Sequence, residues 1–400
     1  MPRSPLGPVT LGLVSLLAIA AAAAHAAPAP TGELLENPGF ETPLEGHPWM
    51  PAGWDTSLTA LPTVFFGRDT LLAHGGLHAV SVANTSALVP TWHNWNQAVI
   101  VGPELWGKDV VLSVWTRSNG LQGRAYIMLQ AYRDTIGKMA KTWGLPRDPA
   151  GKRLGINKVD DPILNLGWKR SYFSEPETDW VRREVRVFVP PTVNMLYVRC
   201  GLVGTGQVIF DDASLTAETA RPALAAAPGR NLLVDPGFEG DGNGWEYSMP
   251  PYPGQRIDRD TTVARSGRAS VRYTGTDEGL IQARAGACQV LGREVAGRRV
   301  RLSAWARTDS LRLGAAFLRL YSNSPSRGVI QSDPGQDLAL THDWTRLAVE
   351  IDVPEDVGVT WAWLAYTTPA TGVVHYDDAV LEVVGPARGA AGPGAKPPAP

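Results

Sequence analysis

Two stretches of the sequence place aromatic rings beside amide and guanidinium groups at every second residue. In the first stretch these alternate positions hold Tyr126, Met128, Gln130 and Tyr132. In the second they hold Phe317, Arg319 and Tyr321. An aromatic ring offers a large flat apolar surface, and amide and guanidinium groups offer directional hydrogen bonds. The combination suits a ligand with flat apolar faces and polar edges, such as a sugar ring.

Further aromatic residues extend this candidate set. Trp92 and Trp95 stand in a polar stretch with no counterpart later in the chain, which predicts an exposed contact. Trp361 and Trp363 alternate in a run that is apolar on both faces, so they form either a two-ring platform or part of a core. The remaining candidates are two Trp-x-Arg motifs, for which ligand contact and simple packing both stay open: Trp115 with Arg117, and Trp305 with Arg307.

The sequence lacks the motifs of the common enzyme classes. No Gly-x-Ser-x-Gly elbow and no phosphate-binding glycine loop is present, and the seven histidines lack metal-ligand spacing. Lys169, Arg170 and Tyr172, with the nearby Asp160-Asp161, are the one place where a catalytic cluster is worth considering, but a solvated loop of mixed charge explains them better. We therefore predict a protein without catalytic activity. The formal net charge of -2 gives no indication of a nucleic-acid-binding face.

An internal repeat shows which elements must position these residues. Leu34–Glu41 reads LLENPGFE and returns at Leu232–Glu239 as LLVDPGFE. LSVWTR at 112–117 returns as LSAWAR at 302–307, and an Asp-Trp pair and an aromatic-Asp-Asp triplet follow in the same order in both halves. The chain is therefore two copies of one module, at 33–217 and 230–384.

Within each module the apolar residues alternate with period two, as in strands with one buried face. Ala125, Ile127 and Leu129 share one face, and Ala316, Leu318 and Leu320 are their counterparts. An aliphatic face of this kind packs on a second sheet. The sequence thus predicts an all-β protein of two tandem β-sandwich domains, whose opposite faces carry the aromatic and polar residues.

The segments outside the modules have their own signatures. Residues 1–27 combine Arg3, an apolar run and a small-x-small motif, which predicts a cleaved secretory signal peptide and a secreted protein, periplasmic or extracellular. No later run is long and apolar enough to span a membrane. Residues 218–229 read as a linker and 385–400 as a disordered Gly/Ala/Pro tail. The first module also has a long insertion within 133–177.

The chain has two cysteines, Cys200 and Cys288, one in each module and both in strand-like runs. Export would permit a disulfide, but this placement favours two buried, unpaired thiols.

Taken together, the opening LLxxPGFE, the central LSxWxR, the Asp-Trp pair and the closing (F/Y)DDxxL resemble carbohydrate-binding modules of the family 4/9 type. The resemblance covers nearly the whole chain after residue 32. It implies a galactose-binding-like jelly-roll fold and a polysaccharide or glycan as the partner. It also implies a structural calcium ion in each module, with Glu41 and Asp211 as ligands in the first and Glu239 and Asp377 in the second. The alternative is that these acids only hold turns by hydrogen bonds.

The resemblance further implies that the glycan lies in a groove across one sheet, lined by the aromatic residues named above. Two other functions stay open. One is a structural or adhesive envelope protein that contacts protein partners through the same sandwiches. The other is a polysaccharide lyase or hydrolase built on the first module and its insertion.

Overall fold

The computed structural model describes residues 32–57, 61–87, 92–135, 163–240, 244–247, 254–276, 284–333, 335–367 and 370–388. The predicted signal peptide, most of the insertion (with Trp143 and Asp160-Asp161) and the end of the predicted tail lie outside these residues. The described part forms β-strands and two short 3-10 helices, and it contains no helix long and apolar enough to cross a membrane.

Ten strands and one 3-10 helix are described for the first module. They are β1 Pro43–Leu44, β2 His47–Pro51, β3 Asp55–Thr56, β4 Val64–Asp69, β5 Ala79–Asn84, β6 His93–Ile100, η1 Pro103–Leu105, β7 Lys108–Asp134, β8 Ile163–Phe173, β9 Val181–Phe188 and β10 Met195–Thr219. The described part of the second module forms nine strands and one 3-10 helix. They are β11 Glu246–Tyr247, β12 Gln255–Asp260, β13 Ser270–Gly275, β14 Arg284–Leu291, η2 Arg293–Val295, β15 Arg298–Ser324, β16 Gly328–Gln331, β17 Leu338–Asp352, β18 Val359–Thr367 and β19 Thr371–Pro386.

Each module is a sandwich of two antiparallel layers, which we call A and B. In the first module, layer A runs β3-β6-β10-β7-β8 and layer B runs β4-β5-β10-β7-β9. In the second, layer A runs β11-β14-β18-β15-β16 and layer B runs β12-β13-β19-β15-β17. The all-β sandwich predicted from the sequence is confirmed.

The long strands β7 and β10 belong to both layers because each crosses from one to the other at a glycine-rich point. Gly123 and Gly204 have φ values of +116° and +129°. A Cβ on Gly123 would lie 2.4 Å from the carbonyl oxygen of Val203, so only glycine allows the two backbones to approach this closely. The first part of β7 therefore pairs with β9 in layer B, and the last part pairs with β8 in layer A.

The core of each module lies between its two layers. Leu112 and Val114 of layer B meet Ile127 and Leu129 of layer A in the first module. A separate core fills the second module, where Leu302 and Leu318 take the equivalent places. Burying one such side chain contributes roughly 1.5–3 kcal/mol. The predicted aliphatic faces are therefore the buried ones. Cys200 and Cys288 are also buried, and they are unpaired, as expected.

The two modules contact each other through β8, which forms the last part of the insertion, and also through residues of β7 and β9. Asn323 donates from Nδ2 to the carbonyl oxygen of Asn165 at 2.7 Å, and Arg133 donates from Nη1 to that of Pro325 at 2.9 Å. Trp168 packs against a cluster on layer A of the second module. The expectation of a solvated loop is therefore wrong for residues 163–173, because they form strand β8, which pairs with β7 and packs into the first core.

The segments predicted as linker and tail also make specific contacts. Strand β10 continues to Thr219, and the backbone N–H of Ala226 donates to the carbonyl oxygen of Glu294 at 2.9 Å. At the other end, β19 continues to Pro386 and the N–H of Arg388 donates to Asp352 Oδ1 at 3.0 Å. The first residues of the predicted tail thus belong to the second module.

Candidate ligand-binding face

The outer face of layer A in the first module, which we call the A face, gathers most of the predicted site residues of that module. Alternation along β7 turns Tyr126, Gln130 and Tyr132 to this face, as predicted, because their neighbours point into the core. Strands β6 and β10 add residues that sequence reasoning did not single out: Asn94, Asn96, Tyr197 and Arg199. The signal that was overlooked is the same period-two alternation, here in His93–Gln97 and Met195–Cys200.

Hydrogen bonds connect the polar groups of this face. Gln130 donates from Nε2 to Tyr132 Oη at 2.6 Å, and Tyr197 Oη donates to Asn96 Oδ1 at 2.8 Å. Two buried atoms of this face have no hydrogen-bond partner among the described residues, Gln130 Oε1 and Arg199 Nε. Because an unpaired buried polar atom costs about 1–3 kcal/mol, both atoms are free to take a partner that a ligand supplies.

The side chains that β7 contributes to the A face are largely buried. Tyr126, Gln130 and Tyr132 are only 1%, 5% and 8% exposed, whereas Arg199 and Asp55 are half-buried. Burial raises the pKa of Tyr126 and of Tyr132, and the nearby arginine cations oppose the shift without cancelling it. Both phenols are therefore neutral near pH 7 and can donate as well as accept hydrogen bonds.

Arg170 and four aromatic rings form one edge of the A face. The Arg170 guanidinium lies 4.4 Å from the ring centre of Trp92 and 4.9 Å from those of Tyr126 and Trp168, within the range of cation–π attraction. It also lies 5.3 Å from the ring centre of Tyr172. Trp92 lies beside Tyr126 at this edge, with ring centroids 5.5 Å apart, and its side chain is only partly exposed.

Arg170 is held by an ion pair from the second module. Its Nη1 lies 2.8 Å from Glu246 Oε2, and the two side chains are 11% and 12% exposed. Of the cluster considered as a possible catalytic site, Arg170 and Tyr172 thus lie in a contact between the modules, because Glu246 of the second module pairs with Arg170. Lys169 is exposed, and Asp160-Asp161 lie outside the described residues.

The second module repeats the aromatic face, but the first module covers part of it. The ring of Tyr321 stacks on that of Trp361 with centroids 4.7 Å apart and on that of Trp363 at 6.3 Å. Trp168 from β8 packs against the same cluster. Phe317 is buried beside them, and Arg319 donates to Gln331 Oε1 at 3.1 Å. These rings are therefore part of the module contact, and their role in ligand binding stays a prediction.

Other predicted site residues lie elsewhere. Trp95 is fully buried in the first core and donates from Nε1 to the carbonyl oxygen of Ser81 at 3.0 Å, so the expectation that it is exposed is wrong. The expectation that the Trp-x-Arg motifs share the face of Tyr126 and Tyr321 is also wrong, since β7 and β15 change layers between them. The four residues concerned lie in layer B: Trp115, Arg117, Trp305 and Arg307.

Trp115 and Trp305 instead pack on a turn of their own module, and acidic side chains hold that turn by hydrogen bonds. The ring of Trp115 stacks on that of His74 at 3.9 Å, and Arg265 lies 3.8 Å above the ring of Trp305. Both partners belong to the turn that the predicted calcium ligands contact. Arg117 forms an ion pair with Asp179 at 3.3 Å on the surface.

The predicted calcium ligands hold these turns through backbone N–H groups, with the same geometry in both modules. In the first, Glu41 Oε1 accepts from the N–H groups of Leu77 and His78 at 2.8 and 3.1 Å. Asp211 Oδ2 accepts from those of His74 and Gly75 at 2.6 and 3.1 Å. In the second module, Glu239 and Asp377 make the equivalent four bonds.

This donor set does not fit a calcium site, because calcium needs several oxygen ligands and the backbone groups directed at the carboxylates are N–H donors. Among the described residues, no group of three or more His, Cys, Asp and Glu side chains is arranged to hold a metal ion. Burial raises the pKa of Asp211 to about 7, against the opposing effect of its N–H partners. Calcium is therefore implied only by the resemblance, and the geometry of these carboxylates does not support it.

Comparison with known proteins adds structural neighbours of low similarity. No family model and no curated protein matches the sequence. The tandem family 22 carbohydrate-binding modules of Paenibacillus barcinonensis Xyn10C are 14% identical over 90% of this chain and all of theirs, with a TM-score of 0.30. The C-terminal family 22 module of Clostridium thermocellum Xyn10B is 18% identical over 40% of this chain and 94% of its own, with a TM-score of 0.31.

Other neighbours have different activities. The Stig cyclase Fisc of Fischerella sp. is 18% identical over 48% of this chain and 98% of its own, with a TM-score of 0.32. The carbohydrate-binding modules among these neighbours belong to family 22, so the comparison does not support the finer assignment to family 4/9. At such identities and TM-scores the likeness gives no information on ligand or activity, and the fold rests on the strand topology described above.

Proposed function

We propose that this chain is a secreted, non-catalytic glycan-binding protein whose first module binds the sugar on its A face. The observation that carries the proposal is the lining of that face. Rings, amides and a guanidinium alternate on three neighbouring strands, and Gln130 Oε1 and Arg199 Nε are left without partners among the described residues.

This lining has the chemistry that a sugar ring requires. The C–H patches of a pyranose lie well against an aromatic ring such as that of Trp92, which is partly exposed. Its hydroxyls need both donors and acceptors, and the amides of Asn94, Asn96 and Gln130 supply both kinds. A hydroxyl that donates to Gln130 Oε1 would satisfy an atom that has no other partner, so binding would gain a hydrogen bond and relieve an unpaired group.

The second module has a supporting role in this proposal. Its aromatic face contacts Trp168 of the first module, and Glu246 at its edge neutralises Arg170 beside the site. The second module therefore completes and holds one wall of the A face. We infer one glycan site per chain, in the first module, instead of one in each.

A glycan-array screen of residues 28–388 tests the proposal, with Gln130→Ala as the site variant. Gln122→Ala is the matched control, because Gln122 lies on the same strand but is exposed. We expect one class of glycan to bind, with about tenfold weaker binding by Gln130→Ala, which corresponds to a net hydrogen bond of about 1.4 kcal/mol. A blank array from folded protein, or equal loss in both variants, would overturn the proposal.

A further inference from the structure

Arg199 occupies the centre of the A face. It lies on the middle strand β10, with Asn96 opposite on β6 and Met128 opposite on β7. Its guanidinium is 4.6 Å from the ring centre of Tyr197. The side chain is half-buried, with Nε removed from solvent. A permanent positive charge is therefore held in the middle of the proposed site.

No carboxylate of the described residues lies within ion-pair distance of Arg199, whereas two other half-buried arginines have one. Arg170 is paired with Glu246 at 2.8 Å, and Arg299 with Glu350 and Asp352. Asp55 is also on the A layer, at its edge, and its Oδ1 accepts the N–H of Thr56. The charge of Arg199 thus lacks a direct counter-ion from the described part of the protein.

Burying part of a cation without a counter-ion is costly, because the cation loses hydration and gains no equivalent interaction. An anionic group on the ligand would remove that cost. A guanidinium binds a carboxylate or a sulfate through two parallel N–H bonds, which are stronger than neutral hydrogen bonds. Next to it, Gln130 Oε1 can accept a hydroxyl of the same sugar.

We therefore infer that the ligand is an acidic glycan, and that Arg199 binds its carboxylate or sulfate group. The inference rests on the proposed function and narrows its substrate class. Arg199 is then the residue that selects acidic over neutral sugars, whereas the rings and amides recognise the sugar itself.

The test measures binding of the full chain to two matched pairs of polymers by affinity electrophoresis and calorimetry. Polygalacturonate and its fully methylated ester share one sugar and differ in the carboxylate charge. Dextran sulfate and dextran differ in the sulfate. Arg199→Gln removes the charge, and Arg199→Lys keeps the charge but not the two parallel bonds. Arg182→Gln is the control, because it makes the same charge change on an exposed residue of layer B.

We expect one of the acidic polymers to bind and its neutral partner to bind about tenfold to a hundredfold more weakly, the range for a hydrogen bond to a charged group. Arg199→Gln should lose that preference, Arg199→Lys should keep part of it, and Arg182→Gln should keep all of it. The polymer that binds distinguishes carboxylate from sulfate.

Two results would overturn the inference in distinguishable ways. If the chain binds neutral glycans as well as acidic ones, and Arg199→Gln weakens both equally, the inference of an acidic ligand is wrong and the proposal of glycan binding stands. If folded protein binds no polymer here and no glycan on the array, the inference and the proposed function both fail. Melting temperatures of the variants show whether each is folded. If Arg199→Gln does not fold, Arg199→Lys still tests the inference.

Discussion

Removing the carboxylate of Glu246 should uncouple the two modules. Glu246 Oε2 lies 2.8 Å from Arg170 Nη1, and the side chains are only 12% and 11% exposed. Breaking a buried ion pair by removing one partner typically costs about 3–5 kcal/mol, because the other charge stays buried without compensation. We expect Glu246→Gln to lower the free energy of unfolding by about 3 kcal/mol, within that range for buried pairs.

A double-mutant cycle separates the pair from its surroundings. Burial raises the pKa of Glu246, so Arg170→Met alone should also be costly because it leaves that carboxyl with no cation. The double variant Arg170→Met with Glu246→Leu leaves no unpaired charge, and it should be far more stable than the sum of the single losses predicts.

The assay is urea unfolding of the full chain, followed by tryptophan fluorescence, with calorimetry to detect separate transitions of the modules. Arg256→Gln is the control, since Arg256 pairs with Asp258 at the same 2.8 Å but is 70% exposed. That exposed pair should contribute about 0–1 kcal/mol. Additive losses in the double variant, or a loss no larger than that of the control, would refute the buried-pair argument.

Three further perturbations have defined outcomes. Chelation of divalent cations should leave the melting temperature unchanged, because N–H groups already satisfy the turn carboxylates; a fall that calcium reverses would establish the calcium sites expected from the resemblance. Gly76→Ala should lower the free energy of unfolding by about 1–3 kcal/mol more than the control Gly46→Ala. Both glycines have positive φ, but only at Gly76 would a Cβ clash with Glu41 Oε1. Equal losses in the two variants would contradict the clash. Hydrogen bonds from Thr262 lower the pKa of Asp260 in spite of its burial, so the contribution of Asp260 to the free energy of unfolding should be complete above pH 4 and lost at lower pH. The free energy of unfolding of Asp260→Asn, measured between pH 2 and 5, should lack that pH dependence. The same pH profile in the variant and the parent protein would contradict this role of Asp260.

The sequence was informative wherever a single strand decides the outcome. Alternation correctly divided β7 into a core side with Ile127 and an outer side with Gln130. It did not show that the strand changes layers near Gly123, because each part of β7 alternates separately with its own aliphatic residues. Trp115 and Tyr126 each lie opposite such residues and are therefore predicted to share a face, although they lie on different layers.

Features that depend on distant residues were not predictable in the same way. The strand around Arg170 read as a solvated loop because its counter-ion, Glu246, belongs to the other module. Trp95 read as exposed because asparagines flank it, yet those asparagines point to the A face and the tryptophan points to the core. Alternation along a strand predicts which face of the strand a residue lies on. What that face contacts is decided by tertiary packing.

The most direct test of the central claim is the stoichiometry of glycan binding, measured by isothermal titration calorimetry with the glycan that the array identifies. The proposed site predicts one glycan per chain, with binding weakened by Gln130→Ala in the first module and kept by Arg319→Ala in the second. Two equivalent sites per chain, or loss of binding only in the second-module variant, would contradict it.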